Sequence, residues 1–156
     1  MASLRRAFVV TRVLDAPRDL VFEAWTRPEH LVHWWGPTDY TVTTCEVDFR
    51  PGGTYRLCVR SPDGKDYQVR GVYCSIAAPE HLDFTCEADD AQGNLFAIEF
   101  ITVSLGEHGG KTKLTLHIRV EWPSVAPALL GRMEESWNQS LDRLAVHAVR
   151  ARTTGK

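Results

Sequence analysis

Near the end of the chain, Leu114, Leu116, Ile118 and Val120 are apolar, while Lys113, Thr115, His117 and Arg119 between them are polar. Successive side chains of a strand point to opposite faces, so this period of two predicts a strand with one buried face and one wet face. Tyr55, Leu57 and Val59 against Thr54, Arg56 and Arg60 repeat the pattern, with Cys58 as an ambiguous outward position. Similar strand-like runs cover 7–14, 40–49, 53–61, 66–76, 81–88, 95–105 and 111–121. Pro51-Gly52-Gly53 and Ser61-Pro62-Asp63-Gly64 are turn sequences, and Asp89–Gly93 and Gly106–Gly110 suit hairpin loops. Six consecutive strands with such short connections predict an antiparallel meander.

Helical periodicity appears in two places. After Asp15-Ala16-Pro17, residues Leu20, Val21, Ala24 and Trp25 recur as an amphipathic stripe, with Pro17 suited to the first helical position. Pro28 restarts a second short helix carrying Leu31, Trp34 and Trp35, and Gly36-Pro37 ends it, so 17–35 reads as two helices broken near Arg27. At the C-terminus Leu129, Met133, Trp137, Leu141, Leu144 and Ala148 follow one another at spacings of three or four, flanked by Leu130 and Ala145. That stripe predicts one helix from about 124 to 150, roughly 40 Å long, with Arg150–Lys156 as a frayed tail. A sheet with one dry face needs a cover, and this helix supplies it. The expected fold class is α+β: a curved seven-stranded antiparallel sheet around a long C-terminal helix, plus two short helices. Such a sheet has more interior than side chains easily fill, which makes a small-molecule-sized cavity plausible.

Composition narrows the function classes. The chain has 156 residues, enough for one domain spanning 1–156 with an ordered core of about 7–150. Its net charge of −2 and scattered Lys and Arg speak against nucleic acid and anionic membrane as partners. No signal-like apolar core follows Arg5-Arg6, and no stretch reads as a membrane span. Cys45, Cys58, Cys74 and Cys86 are single and widely spaced. A cytoplasmic protein with reduced thiols is expected.

Several motifs, spread over residues 15–144, carry a family resemblance. They are Asp15-Ala16-Pro17 before Val21-Phe22-Glu23-Ala24-Trp25-Thr26, then Trp34-Trp35-Gly36-Pro37, Asp48-Phe49-Arg50-Pro51-Gly52-Gly53, Gly71-Val72-Tyr73, and the run Met133 to Leu144 with Trp137 at its centre. Together they resemble the activator of Hsp90 ATPase homologue-like family of the START-like, birch-pollen-allergen-like (SRPBCC) superfamily, with its helix-grip fold. Ser136 departs from the glycine often found before the C-helix tryptophan in that family, so the pocket shape does not carry over. The resemblance implies the fold strongly. It leaves lipid carriers, cyclases and aromatases, ligand sensors and co-chaperone domains as possible functions.

The candidate chemistry is sparse. Trp25, Trp34, Trp35, Tyr55, Leu57, Phe84, Phe100, Leu116, Met133, Trp137 and Leu141 are the expected lining of the cavity, although the tryptophans equally suit core packing. His30 and His33 share one helix face but lack a visible third ligand, so surface histidines are expected and no metal. Glu46 and Asp48 alternate on one strand together with Tyr40, Val42 and Thr44, and would form a carboxylate pair if that face were inward. Glu99 sits between Ile98 and Phe100, whose apolar side chains are expected to claim the inner face. Arg12 interrupts an apolar strand, either as a buried partner for a carboxylate or at an exposed edge. No nucleophile elbow, phosphate loop or dinucleotide fingerprint occurs.

The function expected from these features is binding of an apolar or amphipathic small molecule, without cofactor or assigned catalytic residue. A co-chaperone-like module acting on an Hsp90-type ATPase and a cyclase- or aromatase-like enzyme are the alternatives that the resemblance implies. A homodimer is possible, since open sheets leave edges.

Overall fold

The computed structural model describes residues 6–90, 92–122 and 127–153. The elements run β1 (Arg6–Leu14), α1 (Arg18–Thr26), α2 (Pro28–Trp34), β2 (Thr41–Val47), β3 (Thr54–Arg60), β4 (Asp66–Ala77), β5 (His81–Asp89), β6 (Leu95–His108), β7 (Lys111–Trp122) and α3 (Pro127–Thr153). This is the predicted order. Pro17 stands at the N-cap of α1 with extended backbone rather than inside the first turn, whereas Pro28 does occupy the start of α2. Arg27, extended between them, is the break. The Trp34 indole N–H donates to the Ala24 carbonyl at 2.9 Å and locks the two short helices together.

All seven strands form one antiparallel sheet in the order β1-β7-β6-β5-β4-β3-β2. The meander from β2 to β7 is as predicted, and β1 joins it beside β7, pairing Phe8 with Ile118 and Val10 with Leu116. Register shifts fall in the β2–β3, β4–β5, β5–β6 and β6–β7 pairings. Such bulges bend and twist strands, which gives the sheet its curve. The β6–β7 hairpin is tighter than the sequence suggested. Its strand continues to His108 because Gly109 and Gly110, both at positive φ, make the turn alone.

α3 covers the dry face. Leu141, Leu144 and Ala148 are fully buried and Trp137 nearly so, in one core cluster with Leu114, Leu116 and Ile118 of β7 and Leu20, Val21 and Ala24 of α1. Leu129 and Leu130, predicted for the same stripe, lie outside the residues whose side chains are described. The helix continues through Arg150 to Thr153, so those residues are helical rather than a frayed tail; 124–126 and 154–156 lie outside the described residues. α3 packs most closely on α2, β1 and α1. Space remains toward the opposite half of the sheet.

Candidate functional site

That space is an open pocket of about 510 Å³, bounded by α3, by the loop after α2 and by β3 to β6. Its apolar wall includes Trp35, Tyr40, Val69, Cys86, Met133 and Trp137; Asp89, Asp90, Glu99, Arg132, Ser136 and Ser140 supply polar atoms. Helical spacing places Met133, Ser136, Trp137 and Ser140 along one side of α3. Ser136, the departure from the family pattern, is therefore part of the wall. Trp35 and Trp137 meet edge to face with centroids 5.3 Å apart, and Trp25 stacks on Trp137 from behind at 6.3 Å.

The loop over the cavity is held by the polar flank of α3. Arg143 donates to the carbonyls of Gly36 and Pro37, each at 3.0 Å, and Ser140 Oγ accepts from the Gly36 N–H at 3.1 Å. Gln139 accepts from the Thr38 N–H at 3.0 Å. Gly36 has a φ of 104°, a conformation that disfavours any side chain, so the Trp-Trp-Gly-Pro sequence turns sharply here and leaves Trp35 against the cavity. Burial lowers the Arg143 pKa, and the nearby Asp39 charge opposes that shift in part.

Glu99 is the chemically distinctive residue of the cavity. It is 7% exposed, and its Oε2 accepts from the Trp137 indole N–H at 3.4 Å. The Cys86 thiol beside it is the other donor, and among the described residues no cation pairs with it. Burial lifts the Glu99 carboxyl to about 7, while the bonds from Trp137 and Cys86 hold it from rising further. Burial, and then the neighbouring Glu99, push the Cys86 thiol well above its usual range, so it stays protonated. Asp89 adds a second acid to the wall: its Oδ2 accepts from Arg70 at 3.0 Å, while its buried Oδ1 has no hydrogen-bond partner.

The structure sorts the predicted lining residues into three groups. Trp35, Met133 and Trp137 border the cavity. Trp25, Trp34, Tyr55, Leu57, Phe84, Leu116 and Leu141 are core, packed behind it or under β1 and β7. Phe100 is corrected: it is 38% exposed on the wet face, with the Arg119 guanidinium over its ring at 4.7 Å. Glu99 is corrected with it, because β6 buries Ala97, Glu99, Ile101, Val103 and Leu105 on one face and turns Phe100 outward.

Glu46 and Asp48 both face solvent, which removes them as an inward carboxylate pair. A bulge between Val42 and Thr44 shifts the parity of β2, so Val42, Cys45 and Val47 turn toward the core and Glu46 turns away. Asp48 pairs with Arg50 at 2.9 Å. Arg12 is half-buried on the inner side of β1, where it donates to Asp142 at 2.6 Å and to the Asn138 side chain at 2.8 Å on α3. All four cysteines are free thiols: Cys58 and Cys86 are buried, Cys45 half-buried and Cys74 exposed.

A second groove, about 970 Å³, crosses α1, α2 and α3 among charged and histidine side chains. Here the tertiary structure adds a third histidine to His30 and His33. His147 lies with its Nε2 2.7 Å from His30 Nδ1, and its ring stacks on His33. Burial, with the charges that His30 and His33 would carry, lowers His147 to about 4, so it is neutral at neutral pH. Among the described residues no group of His, Cys, Asp and Glu is arranged to hold a metal ion. None of their helices is long and apolar enough to cross a membrane.

Comparison with known proteins agrees with this architecture. The family model described as activator of Hsp90 ATPase homolog 1-like protein matches residues 15–148. A crystal structure of a protein from Nitrosomonas europaea is similar over 94% of this chain and 96% of its own, with a TM-score of 0.80 and 20% identity. A protein from Chromobacterium violaceum matches over 90% of this chain and 94% of its own, with a TM-score of 0.79 and 26% identity. The AHSA1 protein from Silicibacter pomeroyi matches over 94% and 99%, with a TM-score of 0.77 and 21% identity. These are likenesses of helix-grip fold. No curated protein matches the chain significantly.

Proposed function

The chain belongs to the activator of Hsp90 ATPase homolog 1-like family, and on that premise we propose that it binds a small molecule in the cavity between α3 and the sheet. The observation that carries this reading is Glu99, an acid that no cation among the described residues pairs with, buried in the wall of a pocket that side chains leave open. Burying an ionisable group costs stability unless it is paired, so core packing alone gives no reason for it. A volume of about 510 Å³ lies within the usual range for small-molecule sites, which are apolar with a few placed polar groups. Affinity would come from burying ligand surface against Trp35, Met133 and Trp137, at about 25 cal/mol per Å² before ordering costs.

Native mass spectrometry of the protein purified from its own host tests the reading. A bound small molecule is expected on the native chain and absent from Met133→Trp, in which the larger side chain fills the cavity. A ligand retained equally by both, or none carried by the native chain at all, would count against it.

The family description favours a second reading, in which the chain contacts an Hsp90-type ATPase. Val9 and Val13, half-exposed on the outer face of β1, are the apolar surface it would use. An increased ATP hydrolysis rate of the chaperone on mixing, lost in Val9→Glu, supports this reading; an unchanged rate removes it.

A further inference from the structure

The charges on the cavity wall bear on which class of small molecule it takes, an inference that rests on the cavity being a ligand site. Three acids, Asp89, Asp90 and Glu99, border it against one base, Arg132, which is exposed on α3. Asp89 is already engaged by Arg70 through one oxygen, leaving its buried Oδ1 without a partner. Among the described residues the donors to Glu99 are an indole N–H and a thiol, and a thiol is a weak donor. The buried Glu99 carboxyl and the partly buried Asp89, through its Oδ1, therefore each offer acceptor capacity. The rest of the wall is apolar and includes the rings of Trp35, Tyr40, Tyr67, Phe96 and Trp137, and the negative faces of indole rings attract cations.

We propose that the cavity binds a protonated amine carried on an apolar body, with the ammonium beside Glu99 and the body against Trp35 and Trp137. An ammonium has hydrogen-bond donors and no acceptor, which complements Glu99 and the free Asp89 oxygen. Binding it neutralises a buried charge that no cation among the described residues pairs with. An anionic ligand of the same shape meets three carboxylates and is repelled. A neutral alcohol satisfies one acceptor but gains no charge pairing, so it falls between the two.

Isothermal titration with naphthylethylamine, naphthylethanol and naphthylacetate separates these cases, because the three probes share one apolar body. At pH 8 the amine is expected to bind at least about tenfold more tightly than the alcohol, and the acetate more weakly than either. Glu99→Gln should reduce the amine preference to about twofold while leaving alcohol affinity nearly unchanged, and Asp89→Asn should reduce it by a smaller factor. The Gln side chain matches the shape of the protonated acid, and thermal melting of both variants checks that they fold. Met133→Trp should abolish binding of all three. Equal affinities for amine and alcohol, or a preference that survives Glu99→Gln, overturn the amine assignment and leave the ligand-site reading intact. Failure of all three probes to bind, or binding that persists in Met133→Trp, overturns both.

Discussion

The ring of Tyr55 lies directly over Gly71. The two are paired across β3 and β4, and the Tyr55 hydroxyl reaches past Gly71 to donate to the Thr85 carbonyl on β5 at 2.6 Å. Tyr55 thus spans three strands behind the cavity and makes edge or tilted contacts with Trp35, Tyr73 and Phe84. It can do so only because residue 71 has no side chain.

Gly71→Ala is therefore expected to be severe. A Cβ at this position would sit 1.9 Å from the Thr85 carbonyl oxygen and 2.5 Å from the Tyr55 ring, so backbone and ring must both move. A loss of about 3 kcal/mol or more is expected in urea denaturation. Tyr55→Phe removes only the hydroxyl and should cost about 1 kcal/mol, since the Thr85 oxygen loses one donor. Similar losses for the two variants would show that the close approach does not matter.

Glu99 should make stability fall as pH rises. Its folded pKa of about 7 stands above the ordinary value of 4.5, so between those values the folded chain holds more protons than the unfolded one. Stability then declines from about pH 4.5 to 7 and is level above. Glu99→Gln is expected to gain on the order of 3 kcal/mol at pH 8 and less than about 1 kcal/mol at pH 5. Equal gains at both pH values, measured by urea titration, would contradict a buried ionising group.

His147 acts in the opposite direction. Its folded pKa of about 4 lies below the ordinary 6.5, so the unfolded chain takes up the proton first and stability falls as pH drops from about 6.5 toward 4. His30, His33 and Arg150 add positive charge around it, while Glu23, Glu29 and Asp142 on the same groove oppose them. His147→Gln should flatten the slope of stability against pH in this window relative to the native chain. An unchanged slope in paired denaturation curves would assign the acid sensitivity to other groups.

Arg143→Ala tests the clasp over the cavity. Removing the guanidinium leaves the Gly36 and Pro37 carbonyls without their donor, and a loss of about 1–3 kcal/mol is expected. Because the same loop presents Trp35, the variant should also weaken binding of the naphthyl amine. Arg143→Lys, which can donate to one carbonyl but not fan across the loop, should recover stability only in part. Full recovery by lysine would mean that charge, not the spread of donors, holds the loop.

The regular part of this fold was legible because its periods are long and uninterrupted. Leu114, Leu116, Ile118 and Val120 define the inner face of β7, and Trp137, Leu141, Leu144 and Ala148 define the buried stripe of α3; all eight are buried. Orientation is harder to read where a strand changes parity or where immediate neighbours mask a longer alternation. In β2 one bulged residue reverses the alternation, and no composition cue marks it. In β6 a cue did exist: Ile101, Val103 and Leu105, counted back by twos, place Glu99 inside and Phe100 outside. The immediate apolar neighbours of Glu99 obscured it.

Periodicity alone determined the sheet, the covering helix and which side of each regular element is dry, because burial acts on every second strand residue and every third or fourth helix residue. The tertiary structure decided what shares a wall. It brought Glu99, Cys86 and Trp137 from three elements to one cavity, and His147 to His30 from 117 positions away. Such meetings depend on the bend of the sheet and the height at which α3 rests on it. Those are set by packing among residues far apart in the chain, so no local pattern encodes them.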